Sequence, residues 1–372
     1  MIAYSIIGII SLLVAAYFLF TSYYPSFGAK FTTDSQKQYE VSEQFKNGKF
    51  ENTEKIAEPD DMPFSQKMSL AYKFFTAKVK NSRPKEDLKV QKHDSTTISN
   101  YKGEARLIWY GHSSFLLQME GKNILLDPMF GQVAAPHPLL GEKRFNSDFP
   151  LVADKLPEID AVLFSHDHYD HLDYETIMDI KDKVKHFFVP LRVGAHLEAW
   201  GVPKENITEL DWWQETTFEG LTFACTPSQH FSGRKMNTGQ STLWGSWVIQ
   251  SANENIFFSG DSGYASHFKE IGEKYGPFDI ALMECGQYNE MWSTIHMMPE
   301  ETAQAGVDVQ AKKIMPIHWG GFKLALHTWT DPIERVSIKA KSLNLDIVTP
   351  QIGEPIVIKD TINNSQQWWI NL

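Results

Sequence analysis

The chain has 372 residues, of which 42% are hydrophobic and 22% are charged, a composition suited to one large globular domain or two ordinary ones. Its formal net charge of -11 disfavours a nucleic-acid surface, because phosphate binding normally recruits an excess of Lys and Arg. Two cysteines, Cys225 and Cys285, are too few for a disulfide framework or a cysteine-based zinc knuckle.

The amino-terminal stretch from Ile2 to Phe20 contains no charged side chain and is mostly aliphatic. As a helix it would be roughly 28 Å long, close to the hydrocarbon thickness of a bilayer. A cleaved signal peptide is the alternative, but no Lys or Arg precedes the apolar run and the following residues match a cleavage site poorly. We therefore predict an uncleaved single-pass anchor over residues 1–22. Lys30 and Lys37 follow the span, which favours a cytoplasmic location for the rest of the chain.

Residues 23–100 are polar and rich in lysine and glutamate, and we predict a membrane-proximal segment. Within it one group of apolar residues recurs at helical spacing among lysines: Phe64, Met68, Ala71, Phe75 and Val79. Such an amphipathic helix can lie on an anionic membrane surface. More often its apolar face packs against its own domain.

Residues 101–372 show the pattern of one large domain. Short apolar runs at 106–110, 114–118 and 123–126, separated by glycine turns, predict an antiparallel meander. The apolar run at 161–164 predicts a buried strand, followed by a helix over 174–183. Further strands are predicted at 186–189, 221–224, 243–249, 256–259, 280–283 and 313–317, and further helices at 194–200, 299–310 and 332–342. Antiparallel strands first and alternating elements later predict an α/β (α+β) fold, with two mixed sheets flanked by helices.

A cluster of the form H-x-H-x-D-H directly follows the predicted strand at 161–164. Residues two apart in an extended segment point the same way, so His166 and His168 can hold one ion. Asp170 and His171 lie past a bend and can serve a second ion. Imidazole and carboxylate are the usual zinc ligands when thiolates are absent. A polar loop with chance histidines is the alternative, which this density of His and Asp argues against.

Three further residues of ligand type follow predicted strands: His230, Asp261 and His318. A lone His after a strand is usually structural, but these three complete two ligand sets. The first set is His166, His168 and His230, and the second is Asp170, His171 and His318. Asp261 would bridge both ions.

This order of residues resembles the metallo-β-lactamase superfamily, which has an αβ/βα sandwich and a di-zinc site. Within it the chain resembles the N-acyl-phosphatidylethanolamine-hydrolysing phospholipase D branch and its bacterial, ascorbate-lactonase-like relatives. Besides the ligands, the resemblance depends on Gly111-His112-Ser113-Ser114-Phe115, Asp127-Pro128, Gly260-Asp261-Ser262-Gly263-Tyr264 and His318-Trp319-Gly320-Gly321-Phe322. His296 also matches a position that the branch places near its metals. The chain departs from the mammalian lipase at 284–289, where that enzyme has a proline-containing segment, and in its anchor.

The resemblance implies a catalytic domain over 101–372 that holds two zinc ions per chain, with Asp170, Asp261 and His296 as catalytic residues. Zinc-activated hydroxide would attack phosphorus in line, and His296, or water held by it, would protonate the departing alkoxide. Asp127 would orient a ligating imidazole, with a plain turn aspartate as the alternative. His112 is either a similar supporting residue or structural, and His327 is expected to be structural.

The expected activity is phospholipase D-type cleavage of an N-acyl-phosphatidylethanolamine-like phospholipid. The expected partners are that substrate and the lipid bilayer, with no nucleic acid, and a homodimer stays open. Hydrolysis of a lactone or amide is the alternative enzyme function, and a nuclease is disfavoured by charge. A non-catalytic metal-binding membrane protein is the alternative from another class, but no ligand is missing.

Overall fold

The protein is described from a computed structural model, which covers residues 2–31, 34–54, 56, 63–235, 238–360, 366–370 and 372. Its helices are α1 (Ile2–Tyr23), α2 (Phe64–Thr76), α3 (Ser95–Ser99), α4 (Tyr174–Ile180), α5 (Gly194–Ala199), α6 (His267–Tyr275), α7 (Pro299–Asp308) and α8 (Asp331–Ser342). Its strands are β1 (Phe45–Lys46), β2 (Lys49–Phe50), β3 (Arg106–Trp109), β4 (Phe115–Met119), β5 (Lys122–Leu126), β6 (Ile159–Leu163), β7 (Val184–Pro190), β8 (Ile207–Leu210), β9 (Glu215–Phe218), β10 (Leu221–Thr226), β11 (Ser246–Gln250), β12 (Asn255–Phe258), β13 (Ile280–Glu284), β14 (Lys313–Ile317), β15 (Asp346–Ile347) and β16 (Pro355–Val357).

Two large sheets form the centre of the fold. Within the described residues each contains seven strands, in the orders β16-β3-β4-β5-β6-β7-β8 and β15-β14-β13-β12-β11-β10-β9. In the first sheet the strands from β16 to β5 are antiparallel and those from β5 to β8 are parallel. The second sheet is antiparallel from β9 to β12 and parallel from β12 to β15. The predicted sandwich of two mixed sheets flanked by helices is confirmed.

Alternate residues of a strand point to opposite faces of the sheet. One face of each sheet therefore packs against the other sheet, and the opposite face packs against helices. In β3, Leu107 and Trp109 belong to the core shared with the second sheet. Ile108 between them belongs to a separate core that includes Ile177 of α4 and Leu197 of α5. α7 and α8 pack on the second sheet and on each other. Both sheets are therefore covered by helices, and only their edges are left for loops that carry polar side chains.

The sequence does not predict β8, β9, β15, β16 or α6. β9 alternates exposed and half-buried residues at the end of its sheet, and β15 and β16 have only two and three residues, so none forms an apolar run. The strand predicted over 243–249 begins only at Ser246. Its first residues lie in a loop instead, where the Gly245 N–H donates to the Ser165 carbonyl at 2.9 Å.

The amino-terminal helix α1 projects from the domain. Residues 4–23 are long and apolar enough to span a membrane, and the most apolar window of that stretch is not buried against the rest of the protein, although Thr21 near its end is. The following segment, by contrast, packs on the domain through a 3-10 turn at Pro25–Phe27 and the β1–β2 hairpin. The division of the chain at residues 22 and 100 stays a prediction.

The predicted amphipathic helix corresponds to α2. It ends at Thr76, before Val79, because the backbone at Ala77 is extended. Met68 is exposed. The side chains of Phe64, Ala71 and Phe75 lie outside the described part of the structure, so the choice between membrane surface and packing stays open.

Candidate metal centre

The predicted metal ligands meet where strands of both sheets end. In α/β sheets such sites form beyond the carboxyl ends of the strands. β6 leads into His166, His168, Asp170 and His171, β10 into His230, β12 into Asp261, and β14 into His318. Together with His112, their ligand atoms form two groups of four within 4.8 Å of one another: His166, His168, His230 and Asp261, and then His112, Asp170, His171 and His318. Asp261 and His318 also form a group of three with His296.

The first group surrounds a point between three imidazoles and one carboxylate. His168 Nδ1 lies 2.9 Å from His166 Nε2 and 3.2 Å from His230 Nε2. Asp261 Oδ2 is 3.8 Å from both Nε2 atoms. Four ligands about 2.0–2.1 Å from a tetrahedral ion lie about 3.3 Å from one another, so these spacings fit one ion.

The ligand atoms of the second group have similar spacings, and this group also borders Asp261 of the first group. Asp170 Oδ2 lies 3.1 Å from His318 Nε2 and 3.6 Å from His171 Nε2. Asp261 Oδ2 lies 3.2 Å from His171 Nε2, and Asp261 Oδ1 lies 3.2 Å from His318 Nδ1. The Asp261 carboxylate therefore faces both groups at once.

Buried polar atoms without hydrogen bonds support a bound cation at this place. His171 Nε2 and Asp261 Oδ1 are both buried and have no hydrogen-bond partner among the described residues. Leaving such atoms unpaired is costly unless something else satisfies them. His171 Nε2 lies 3.2 Å from Asp261 Oδ2 without hydrogen-bond geometry, as ligands of a common ion do.

The electrostatics of the site also favour a cation. Burial lowers the pKa of His166, His230 and His318 well below the usual range, which keeps their imidazoles neutral and able to ligate a metal. Burial acts in the same direction at His171, but the surrounding carboxylates of Asp261, Asp170 and Asp127 raise its pKa well above the usual range. Positive charge is therefore stabilised where the two groups meet.

Asp127 lies directly behind the centre, at the end of β5. Its Oδ2 is 2.7 Å from His171 Nδ1, and its Oδ1 accepts from the Ser165 N–H at 2.7 Å. The Ser165 hydroxyl donates to Asp127 Oδ2 at 2.5 Å. Asp127 thus fixes the His171 ring with Nε2 directed at the ligand groups, the usual arrangement behind a metal-bound imidazole. This is the role that the sequence predicts for it.

His112 and His296 border the ligands in different ways. His112 Nε2 lies 2.9 Å from Asp170 Oδ2, so His112 holds that carboxylate from behind. The ring of His296 lies 5.1 Å from that of His230 and 5.2 Å from that of His318, and its side chain is 13% exposed. His327 belongs to neither group. It stacks on Tyr288 at 4.5 Å, in keeping with the structural role expected of it.

Sequence reasoning misses Glu284, the last residue of β13. Its Oε1 lies 3.3 Å from His296 Nδ1 and 3.4 Å from His318 Nδ1, and its Oε2 accepts from the Met297 N–H at 3.0 Å. Burial raises the pKa of this carboxyl well above its usual range. An acidic residue directly after an apolar strand is the same signal that indicates Asp261, and it could have indicated Glu284.

Two further residues that the sequence does not predict connect the segment after α1 to the ligand loops. Asn52 Nδ2 donates to the His230 carbonyl at 2.8 Å, and its Oδ1 accepts from the His230 N–H at 3.1 Å. The buried Arg234 guanidinium donates to the carbonyls of Ser26 and Asp167. No local motif marks either residue, because each contact joins positions far apart in the chain.

The two mixed sheets bring together His and Asp side chains that could hold a metal ion at the strand ends, an arrangement that metal-dependent hydrolases share. The model of the "Beta-lactamase superfamily domain" matches residues 122–319. The chain belongs to this superfamily, as its residues imply.

Two sequence relatives and one solved structure show what the chain is similar to. An uncharacterized protein of Mycobacterium tuberculosis is 41% identical over 263 residues, 69% of this chain and 70% of that protein. The N-acyl-phosphatidylethanolamine-hydrolyzing phospholipase D 1 of Caenorhabditis elegans is 32% identical over 243 residues, 61% of this chain and 68% of that protein. The structure of an isothiocyanate hydrolase from Delia radicum gut bacteria matches with a TM-score of 0.54 at 22% identity, covering 68% of this chain and 98% of that one. The resemblance to the phospholipase D branch is thereby confirmed. The structure of the isothiocyanate hydrolase supports only the fold.

Proposed function

We propose that this protein is a membrane-anchored di-zinc phosphodiesterase that cleaves N-acyl-phosphatidylethanolamine-like phospholipids by a phospholipase D-type reaction. The observation that carries the proposal is the Asp261 carboxylate, which faces two groups of ligand atoms at 3.2–3.8 Å. Two adjacent metal sites sharing one carboxylate are typical of enzymes that hydrolyse phosphate esters. The similarity to the nematode phospholipase D supports the choice of substrate.

We assign the residues to the two sites in the division predicted from the sequence. His166, His168 and His230 would hold one zinc ion, Asp170, His171 and His318 the other, and Asp261 both. When bound, such ions make water a nucleophile at neutral pH and stabilise negative charge on phosphoryl oxygens. His112 and Asp127 orient Asp170 and His171 through their hydrogen bonds.

His296 is the proposed proton donor to the leaving alkoxide. Its Nδ1 faces Glu284 Oε1 at 3.3 Å, which fixes the ring and leaves the other ring nitrogen free to face substrate. The ring borders both ligand groups and is partly exposed, whereas His230, His318 and Asp261 beside it are almost fully buried. A general acid needs to lie within reach of the reacting group, as this position next to the ligand groups allows.

Hydrolysis in oxygen-18 water tests the chemistry. With purified full-length protein and N-acyl-phosphatidylethanolamine in mixed micelles, we expect the label in the phosphate-bearing product, because the nucleophilic oxygen attacks phosphorus. Label only in a carboxylate or in the alcohol would contradict the proposal. A carboxylate label, with faster turnover of simple lactones than of phospholipid, would support the lactone or amide hydrolase instead.

A further inference from the structure

The end of α1 is fixed to the loop that carries the predicted metal ligands. Arg234 Nε and Nη2 donate to the Ser26 carbonyl at 2.8 and 2.7 Å, and its Nη1 donates to the Asp167 carbonyl at 2.5 Å. The Ala29 N–H donates to His196 Nδ1 at 3.0 Å, and His196 Nε2 lies 3.3 Å from Asp167 Oδ2. Asp167 stands between two predicted ligands. The segment that directly follows α1 is therefore held by hydrogen bonds to the loop of predicted metal ligands.

The accessible side of the metal centre lies next to this junction. Along the ligand loop, His166 and His171 are buried, whereas His168, Tyr169 and Asp170 are partly exposed. The Tyr169 ring packs edge-on against Phe27 at 6.4 Å, four residues after the end of α1 at Tyr23. The exposed part of the loop thus begins where α1 ends.

Two exposed leucines extend the apolar surface of α1 onto the domain. Leu139 and Leu140 are 86% and 62% exposed. Both are tied to His137, since the Leu139 N–H donates to His137 Nδ1 at 3.1 Å and the Leu140 N–H to its carbonyl at 2.9 Å. The His137 ring packs on Tyr24 at 5.4 Å and on Phe20 at 6.3 Å. Exposed aliphatic side chains next to a membrane-spanning helix are stabilised by insertion into the membrane interface.

Two lysines lie near the junction between α1 and the ligand loop, in a protein that is acidic as a whole. The Lys30 ammonium lies over the Tyr23 ring at 5.3 Å from its centroid. Burial lowers the pKa of Lys235, and the neighbouring Lys30 ammonium lowers it further. Two like charges left together are stabilised by an anionic partner, as lipid head groups are.

We infer that the loop around Leu139 and Leu140 inserts into the lipid interface beside α1, with Lys30 and Lys235 at the level of anionic head groups. The opening of the metal centre is thereby held against the bilayer. The inference rests on the proposed function in taking α1 as a membrane span, and it deepens that function. Substrate would enter from the same leaflet of the membrane, which suits a lipid with long acyl chains.

Depth-dependent fluorescence quenching tests the placement in the full-length protein. The native Cys225 and Cys285 are fully buried, so a single introduced cysteine can be labelled with an environment-sensitive nitrobenzoxadiazole dye. The variant L140C is compared in nanodiscs of phosphatidylcholine and phosphatidylglycerol containing nitroxide lipids. I338C on α8, where Ile338 is 72% exposed, is the matched control, and L12C within α1 reports the span itself.

We expect strong quenching for L140C and L12C and none for I338C. Quenching of L12C without quenching of L140C would overturn the interfacial loop and leave the anchor intact. A lack of quenching at L12C would overturn the membrane span and this inference with it. Neither result depends on turnover, so the oxygen-18 experiment judges the phosphodiesterase reaction separately.

A kinetic variant then connects the loop to substrate entry. L139D/L140D should lose about tenfold in kcat/KM on lipid presented in vesicles, roughly the effect of withdrawing one partly buried leucine from an apolar environment. Its turnover of a monomeric, short-chain substrate should match that of the unaltered protein, as should that of I338D on both substrates. Equal losses on vesicles and on the monomeric substrate would contradict a role in membrane docking.

Discussion

Substitution of Asn52 by alanine tests whether the segment after α1 helps to build the metal centre. Asn52 holds His230 by both backbone groups, at 2.8 and 3.1 Å, and no other part of its side chain approaches a ligand. It also accepts from Trp244 Nε1 at 3.1 Å, but that N–H has a second acceptor in the Ser228 carbonyl at 3.0 Å. The variant therefore removes two hydrogen bonds from the backbone of one ligand and leaves the indole satisfied.

The size of the effect follows from those two bonds. A net hydrogen bond contributes about 1 kcal/mol, so the free energy of unfolding of the metal-free protein should fall by about 2 kcal/mol. Asn52 lines a cavity of about 430 Å³, and water from it can replace part of the lost bonding. Metal affinity should fall by roughly tenfold, the lower end of the range for residues that orient a ligand.

Competition with a chromophoric chelator measures the affinity, and the visible spectrum of the cobalt-substituted protein reports the geometry around His230. Asn255 is a matched control, because its Nδ2 donates to the carbonyls of Tyr275 and Pro277 at 2.6 and 3.0 Å, at the far end of the strand that leads to Asp261. Asn255→Ala should lose similar stability with unchanged metal affinity and spectrum. If Asn52→Ala behaved like Asn255→Ala, Asn52 would be a purely structural residue and the reasoning would be wrong.

Three further predictions test the centre itself. Asp261→Ala should lower the zinc content from about two equivalents towards none, because its carboxylate faces both groups, whereas His168→Ala should keep about one; elemental analysis of freshly purified protein decides, and near-normal content in Asp261→Ala would contradict the bridge. His296→Gln should lower kcat by about 10²–10⁴-fold with unchanged metal content, and loss of metal would mark His296 as a ligand instead. Gly286→Ala should displace His318, since its Cβ would lie 1.8 Å from the His318 carbonyl oxygen, and cost about one zinc equivalent. Gly121→Ala, where no atom lies within 4 Å of the new Cβ, should retain the metal content of the unaltered protein.

The ligands themselves could be predicted because their signals are local. His166 and His168 stand two apart after an apolar run, and His230, Asp261 and His318 each follow a strand that the sequence marks by hydrophobicity. Position after a strand is enough to bring them to one edge once the sheets form. The structure brings these side chains together as the sequence predicts.

The surroundings of the ligands could not be predicted in the same way. Asn52 and His230 are 178 positions apart, and Ser26 and Arg234 are 208 apart. Neither residue type nor spacing carries information about such a contact, which depends on how the segment after α1 wraps the finished domain. Short edge strands such as β9 share this property, since their pairing and not their own hydrophobicity defines them.

Backbone conformation at the centre shows that the fold imposes the site geometry. His112, Asp127 and His318 have φ values of 55°, 38° and 66°, in the left-handed region that residues with a side chain rarely adopt. Each costs roughly 1–3 kcal/mol and persists only where surrounding contacts over-determine it. Here the His318 N–H donates to the His112 carbonyl at 3.2 Å, and the Asp127 N–H to the Leu163 carbonyl at 3.0 Å. The turns that aim these side chains at the ligand groups are therefore held by backbone hydrogen bonds of the fold itself.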